Sequence, residues 1–378
     1  MQFRNIWIFK TLTVGLGLAV GSVVAELLLW ALGIPYFHKA HSAPSQFRFL
    51  KEKASGRFFY VNTPSSTITF QYDSNPRGYF KPGNVVDHVT NAWGFRGREF
   101  SSSKQPGTVR LLFLGDSFTF GEGVHFEDTF AEATARLLTQ RLARESLKVE
   151  SYNLGVGGYN TADELALLKS VEPNLRPDAV ILCYVLNDAE PPLFQVDPLR
   201  GPIRNPRGAQ VPEGLDEPLP PKTLLYQSRI AQLVWRYAKA RELNRQTEAY
   251  YLSLYRPESE GWQVTRGALH ELGAFCQREK VPLIVMVFPI LHELSANYPF
   301  RAIHGMVAQE ADAGGALVLD LFPSFQGKSA ADLRVHLTDQ HPNEKAHRIA
   351  AETLAAKLAS FPAFLEMIGQ PPIVRPLK

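Results

Sequence analysis

Four short stretches of the chain carry residue types that together do covalent chemistry. Ser117 lies in "LLFLGDSFTFGEGV" (111–124), where an apolar run stops at Gly115. Gly155, Gly157 and Gly158 lie in "YNLGVGGYNT", and Asn187 and Asp188 in "YVLNDAEPP". Asp339 and His341 lie in "LTDQHPNEKAH", just before a helical pattern. A hydroxyl, flexible backbone N–H groups, a carboxamide and an imidazole beside a carboxylate are the parts needed for acyl transfer through a covalent intermediate. Each stretch also has a plain reading. Gly-Asp-Ser is common in turns, glycines after strands serve tight turns, Asn-Asp caps helices, and His-Pro-Asn can open one. Their joint occurrence, in order and each at the end of an apolar run, favours the chemical reading.

Those runs are the elements that must position the four stretches. "VRLLFLG", "VESYNLG", "AVILCYV", "PLIVMVF" and "ALVLDL" read as five strands. Amphipathic patterns such as "FAEATARLLTQRLARE" (130–145) and "GALHELGAFCQREK" (267–280) lie between them. Near-continuous Val/Ile/Leu strands separated by helices predict an α/β fold, a parallel sheet covered on both faces. Right-handed crossovers put every C-terminal strand end at one edge, where open α/β sheets bind ligands. The alternation is interrupted from about 190 to 262, first by proline-rich chain and then by the helical pattern "SRIAQLVWRYAKARELNRQTEAYYLSLY". This insertion reads as a surface excursion or as a lid that shapes the substrate site.

The chain begins with a different kind of segment. Residues 11–34, "TLTVGLGLAVGSVVAELLLWALGI", are about as long as a membrane crossing requires. Arg4 and Lys10 precede it, which places residues 1–10 as a cytoplasmic tail. A signal peptide cut after Ala25 is the rival, but the apolar run continues past that site, so an anchor is preferred. Glu26 is the one charge inside; it reads as a residue near the outer interface or one paired in an oligomer. Residues 35–108, rich in Gly, Pro, Asn and aromatics, read as short strands and turns leading from the membrane to a domain at 109–362. Residues 363–378 read as a C-terminal tail.

Composition sets further bounds. The chain has 378 residues, 45% hydrophobic and 20% charged, with a formal net charge of +3, the balance of a globular protein. No block of like charge suggests nucleic acid as a partner. Cys183 and Cys276 have no Cys-x-x-Cys neighbour, which excludes zinc ribbons and thioredoxin-like motifs. They read as two buried small hydrophobes, with a disulfide between them as the other possibility.

The four stretches resemble the blocks of the SGNH (GDSL-type) hydrolases, in the right order, from Val109 to about Ser360. The resemblance implies a flavodoxin-like, three-layer α/β/α fold with a mainly parallel five-stranded sheet. It places Ser117 of "GDSF" on the nucleophile and His341 of "DQHPN" on the general base. Gly158 of "NLGVGGYN" and Asn187 of "VLND" fall on oxyanion donors, beside the backbone N–H of Ser117. The family's acid commonly stands three residues before the histidine, which here is Thr338. The carboxylate is Asp339, two residues before, so Asp339 is assigned as the orienter of His341, with Asp320 as a fallback. The anchor and "NAWGFRGREF" resemble membrane-tethered bacterial members, which implies an inner-membrane, single-pass protein whose domain faces the periplasm or exterior.

The expected activity is hydrolysis of esters, on a small molecule or on O-acyl groups of cell-surface or secreted carbohydrate, with no cofactor. An O-acyltransferase using the same acyl-enzyme, a lipid esterase and an inactive anchored scaffold are the alternatives. A metal site is a further one. His336, Asp339, His341 and His347 include the two histidines and a carboxylate that bind zinc, but no metal is needed once Ser117 is the nucleophile.

Overall fold

The structure is a computed structural model that describes residues 2–39, 41, 47–51, 58–142, 147–197, 201–205 and 219–369. In chain order it forms α1 (Gln2–Ala31), β1 (Phe47–Lys51), β2 (Phe58–Asn62), β3 (Thr67–Gln71), β4 (Val85–Val89) and β5 (Thr108–Leu114). These are followed by α2 (Ser117–Phe120), α3 (Phe130–Leu142), β6 (Lys148–Asn153), α4 (Thr161–Leu175), β7 (Ala179–Tyr184), β8 (Phe194–Asp197) and β9 (Gly201–Arg204). The last part holds α5 (Arg229–Leu254), α6 (Glu260–Glu279), β10 (Leu283–Val287), α7 (Arg301–Ala313), β11 (Leu317–Asp320) and α8 (Phe322–Phe325). It ends with β12 (Arg334–His336), β13 (Asp339–Pro342), α9 (Glu344–Leu358) and α10 (Pro362–Met367). Two units are formed, one from Met1–Lys39 with Asp216–Thr247, the other from Ala40–Leu215 with Glu248–Lys378.

In the larger unit the five predicted strands form one sheet in the order β11-β10-β7-β5-β6. All four pairings are parallel. Every residue of β5, β7 and β10 is buried, which is why these strands read as unbroken apolar runs instead of alternating ones. The chain goes from β5 out to β6 and then crosses back to β7. Right-handed crossovers in opposite directions put α3 and α4 on opposite faces. Accordingly α3 packs with α9, and α4 packs with α6, which packs with α7. The strand order reverses between β5 and β7, and a crevice opens at such a switch point beyond the carboxyl ends of the strands.

The segment between α1 and β5 does more than lead the chain along. β1 and β2 form one antiparallel hairpin, and β3 and β4 another. Ile68, Phe70, Tyr72, Phe80 and Val86 of this segment share a second small core with Phe120, Val124 and Val335. Arg96 is buried, and its guanidinium donates to the carbonyls of Phe120 (2.8 Å), Gly121 and Val124. His88 Nε2 accepts from the Gly123 N–H at 3.1 Å. The backbone just after α2 is thus held from outside the sheet.

Packing continues past residue 362, since α10 buries Phe364 and Leu365. Cys183 and Cys276 are both free and buried. In the smaller unit α1 already includes residues 2–10, and its stretch Ile6–Ala31 is long and apolar enough to cross a membrane.

Arg96→Met should lower the unfolding free energy by about 3 kcal/mol or more, because buried carbonyls lose a charged donor that no water replaces. Arg96→Lys should recover little, since one ammonium cannot reproduce the fork. Denaturant unfolding of the three proteins measures both effects.

Candidate active site

The site is built from the ends of β5, β6 and β7 and from the β12–β13 hairpin. At the end of β5 the backbone turns at Gly115, where φ is +151°. A Cβ there would fall 2.0 Å from Thr119 Oγ1 and 3.2 Å from the Cys183 carbonyl oxygen, so only glycine fits. Asp116 follows, and both oxygens of its carboxylate accept hydrogen bonds. Oδ1 accepts the Phe118 N–H at 2.9 Å and so caps α2. Oδ2 accepts the side-chain amide of Asn187 at 2.7 Å. One carboxylate therefore joins the end of β5 to the residues after β7. Ser117, the next residue, is buried at the start of α2, and its carbonyl accepts the N–H groups of Gly121 (2.9 Å) and Glu122 (3.2 Å).

The glycines after β6 lie against this turn. A Cβ on Gly155 would come 2.2 Å from the Phe120 nitrogen, so the close approach of the two backbones requires glycine. Asn153 locks the same contact. Its amide donates to the Thr119 carbonyl at 2.6 Å, and its oxygen accepts the Gly155 N–H at 2.9 Å. Gly158 lies beside Leu193 and the Tyr60 hydroxyl. Tyr60 donates to the Gly157 carbonyl at 3.1 Å, and Tyr159 donates back to the Tyr60 carbonyl. The glycine turn is thereby stitched to β2.

Asp339 and His341 sit on β13, against which α2 packs. His341 Nδ1 is 2.6 Å from Asp339 Oδ1, which also accepts the His341 N–H at 3.0 Å. The other carboxylate oxygen accepts the Tyr72 hydroxyl at 2.7 Å, with His41 Nδ1 3.7 Å away. Burial by itself would raise the Asp339 pKa, but the His341 charge and hydrogen bonds, helped by His41, outweigh it and hold the carboxyl well below the usual range. Burial and the Asp339 charge push Tyr72 up, so it stays a neutral donor. On the far side of the ring, His341 Nε2 is 3.6 Å from Glu122 Oε2, and the Phe118 ring meets the imidazole edge to face at 5.6 Å.

Other residues singled out in the sequence go elsewhere. Thr338 Oγ1 lies 2.9 Å from His336 Nδ1. Asp320 pairs with His304 at 2.8 Å and accepts the Phe322 N–H. Asp188 turns away from the site and accepts the Thr161 hydroxyl at 2.9 Å. Burial, reinforced by the charge of Asp116, pushes Asp188 well above the ordinary carboxylate range. The zinc alternative does not assemble. His336 Nε2 turns to Ser74 and Asp73, His341 to Asp339, while His347 Nδ1 accepts the Phe130 N–H at 3.0 Å. Burial lowers His347 to about 3, so it stays neutral.

Sequence reasoning missed Tyr72, Tyr60, Arg96 and Glu122. Glu122 stands five residues after Ser117 in the same quoted stretch, and the return of the chain after a one-turn helix is the signal that could have found it. The others come from a segment read as a connection.

Residues 113–349 match the model of the GDSL-like Lipase/Acylhydrolase family. No curated protein matches the chain. Similar solved structures include an alpha/beta hydrolase enzyme, LAE5, from the metagenome of Lake Arreo, Spain, at 18% identity over 69% of this chain and 95% of that one, with a TM-score of 0.40. A catalytic mutant of Axe2, an acetylxylan esterase from Geobacillus stearothermophilus, is similar at 17% identity over 71% and 97%, with a TM-score of 0.38. A two-domain esterase active on acetylated mannans is similar at 13% identity over 72% and 53%, with a TM-score of 0.39. The family match spans well over half of the chain, from within β5 into α9, and includes every stretch that supplies Ser117, Gly158, Asn187, Asp339 and His341: the chain belongs to the GDSL-like lipase/acylhydrolase family of ester-hydrolysing enzymes.

Proposed function

We propose that this chain is a membrane-anchored hydrolase that carries its acyl group on Ser117 and removes O-acyl groups from cell-surface or secreted carbohydrate. The observation that carries this reading is the Asp339–His341 pair at 2.6 Å, on the strand against which α2, with Ser117 at its start, packs. In the proposed reaction the imidazole takes the serine proton as the hydroxyl attacks the ester carbonyl, then delivers it to the leaving alcohol. Asp339 fixes the tautomer and stabilises the imidazolium that forms. The oxyanion is held by the N–H groups of Ser117 and Gly158 and by the Asn187 amide, whose one N–H to Asp116 aims the other.

Glu122 supports a hydroxyl-rich substrate. A carboxylate 3.6 Å from His341 Nε2 sits where the alcohol leaves. It is a poor neighbour for an aliphatic chain and a good acceptor for sugar hydroxyls. This favours carbohydrate over lipid esters. Arg4 and Lys10 on one side of the apolar helix support an N-terminus in the cytoplasm and a domain outside it.

A fluorophosphonate probe should label Ser117 in the wild type and leave Ser117→Ala unlabelled. His341→Ala should lower turnover of a nitrophenyl acetate by about 10³-fold or more, and the double variant should be little worse than either single one. Wild-type rates in the Ser117 variant overturn the serine mechanism.

Asp339→Asn should cost about 10³–10⁴ in kcat, while Thr338→Val should be nearly silent, because its hydroxyl serves His336. The reverse pattern overturns the assignment of the orienting carboxylate.

Glu122→Gln removes a negative charge beside the imidazole, which destabilises the imidazolium. The limb of the kcat/KM profile on which the base must be neutral should therefore move to lower pH, by about one unit. An unmoved profile removes Glu122 from the site.

A further inference from the structure

We propose that residues 219–245 of the insertion form a second membrane contact, lying in the headgroup layer of the leaflet through which α1 leaves the bilayer, and that they take anionic phospholipid there. The proposal rests on the reading of α1 as a membrane anchor.

The starting observation is what Glu26 does. It is the only acidic residue in α1, and its carboxylate receives the start of α5. Oε1 accepts the Arg229 N–H at 2.5 Å, and Oε2 accepts the Ser228 hydroxyl at 2.9 Å and the Ile230 N–H at 3.2 Å. A carboxylate in an apolar helix is costly unless it is satisfied, and the first N–H groups of a helix are free to satisfy it. The two segments are joined again farther on, where Phe37 meets Trp235 at 6.4 Å and Arg236 lies over the Phe37 ring at 5.9 Å.

This clamp sets a depth. The apolar stretch Ile6–Ala31 has 26 residues, a length of about 39 Å against a hydrocarbon core of about 30 Å. Centred in the bilayer, each end protrudes by about 4–5 Å. Glu26, about 7–8 Å from Ala31, then falls near the boundary between acyl chains and headgroups. The start of α5 must lie at the same level.

The surface chemistry of 219–247 matches that level. None of these residues is buried, although α5 runs for 26 residues. Leu219, Leu224, Leu225, Val234 and Tyr237 are 62–82% exposed. Among them stand Lys222, Arg229, Arg236, Lys239, Arg241 and Arg245, opposed by Glu242 alone. Exposed apolar side chains beside cations, with Trp235 and Tyr237 among them, suit the level where acyl chains meet anionic headgroups. α1 and this segment meet at the clamp and both expose apolar side chains, so the bilayer that takes α1 also takes this segment.

The test places an environment-sensitive fluorophore on the full-length protein at Leu225→Cys and Val234→Cys, with Leu18→Cys and Val264→Cys as references. Cys183 and Cys276 are buried and do not compete for label. The protein is reconstituted in vesicles of phosphatidylcholine with phosphatidylglycerol that carry doxyl-labelled lipid. Labels at Leu225 and Val234 should lose most of their emission when the doxyl group is near the headgroup end of the chain. Leu18 should respond to a doxyl group near the chain's middle, and Val264 to neither. Quenching at Val234 should weaken when phosphatidylglycerol is left out; indifference to lipid charge overturns the preference for anionic lipid. If Leu18 is quenched while Leu225 and Val234 behave like Val264, the interfacial contact is overturned and the anchor stands. If Leu18 is not quenched, the anchor reading falls and the contact falls with it. Shielding of Leu225 and Val234 that rises with the protein-to-lipid ratio means that a second copy covers them, which also overturns the contact.

Discussion

One buried carboxylate holds the two halves of the site together. Asp116 stands at the switch point of the sheet, where the strands run outward in opposite directions. It caps α2 with one oxygen and holds Asn187 with the other. Without that bridge, the residues after β5 and β7 would share an edge but not a fixed distance. The bridge has an electrostatic consequence. Burial, with the Asp116 charge, pushes Asp188 well above the ordinary carboxylate range, and burial with the charges of Asp188 and Asp116 does the same to Glu164. A carboxyl with a raised folded pKa favours the folded state below its unfolded value, and that advantage is lost as pH rises through the folded one. Asp339 works in the opposite sense: its depressed pKa contributes stability above the ordinary carboxylate value, which is lost as pH falls. The fold therefore carries opposed pH dependences in neighbouring buried carboxyls.

The second constraint comes from outside the sheet. α2 is a single turn and has too few hydrogen bonds to set its own orientation. Arg96 and His88 hold the chain that leaves it, and the small core around Phe70, Tyr72 and Val86 closes over Phe120 and Val124. The same segment sends Tyr72 to Asp339 and Tyr60 to the glycine turn. Residues 58–100 thus form a brace for the edge of the sheet. Such a brace suits a site that must hold its donors still while charge develops on the substrate.

Read by themselves, residues 109–358 declare themselves well. Five unbroken apolar runs became five parallel strands because strands covered on both faces have no polar side to show. "GDS" became a turn because Gly115 is the only residue type that avoids Thr119 there. The blocks after β5, β6 and β7 share one edge because right-handed crossovers leave no other for them, while the fourth block lies on the separate β12–β13 hairpin, which no crossover rule places. Asp339 was legible too, because a carboxylate two residues before a histidine on one strand faces the same side as its ring.

What the tertiary structure alone decided is whatever depends on contacts remote in the chain. Tyr72 reaches a carboxylate 267 residues away, and no local pattern marks a tyrosine for such a bond. The "NAWGFRGREF" stretch showed turns but not that Arg96 would be buried with three carbonyls. Glu26 looked like an isolated charge because its partners, Ser228, Arg229 and Ile230, lie some two hundred residues on. Strand and helix identity follow from periodicity, which neighbours in sequence carry. The partner of a buried polar group follows from where the chain returns, and that is set by the packing of the whole.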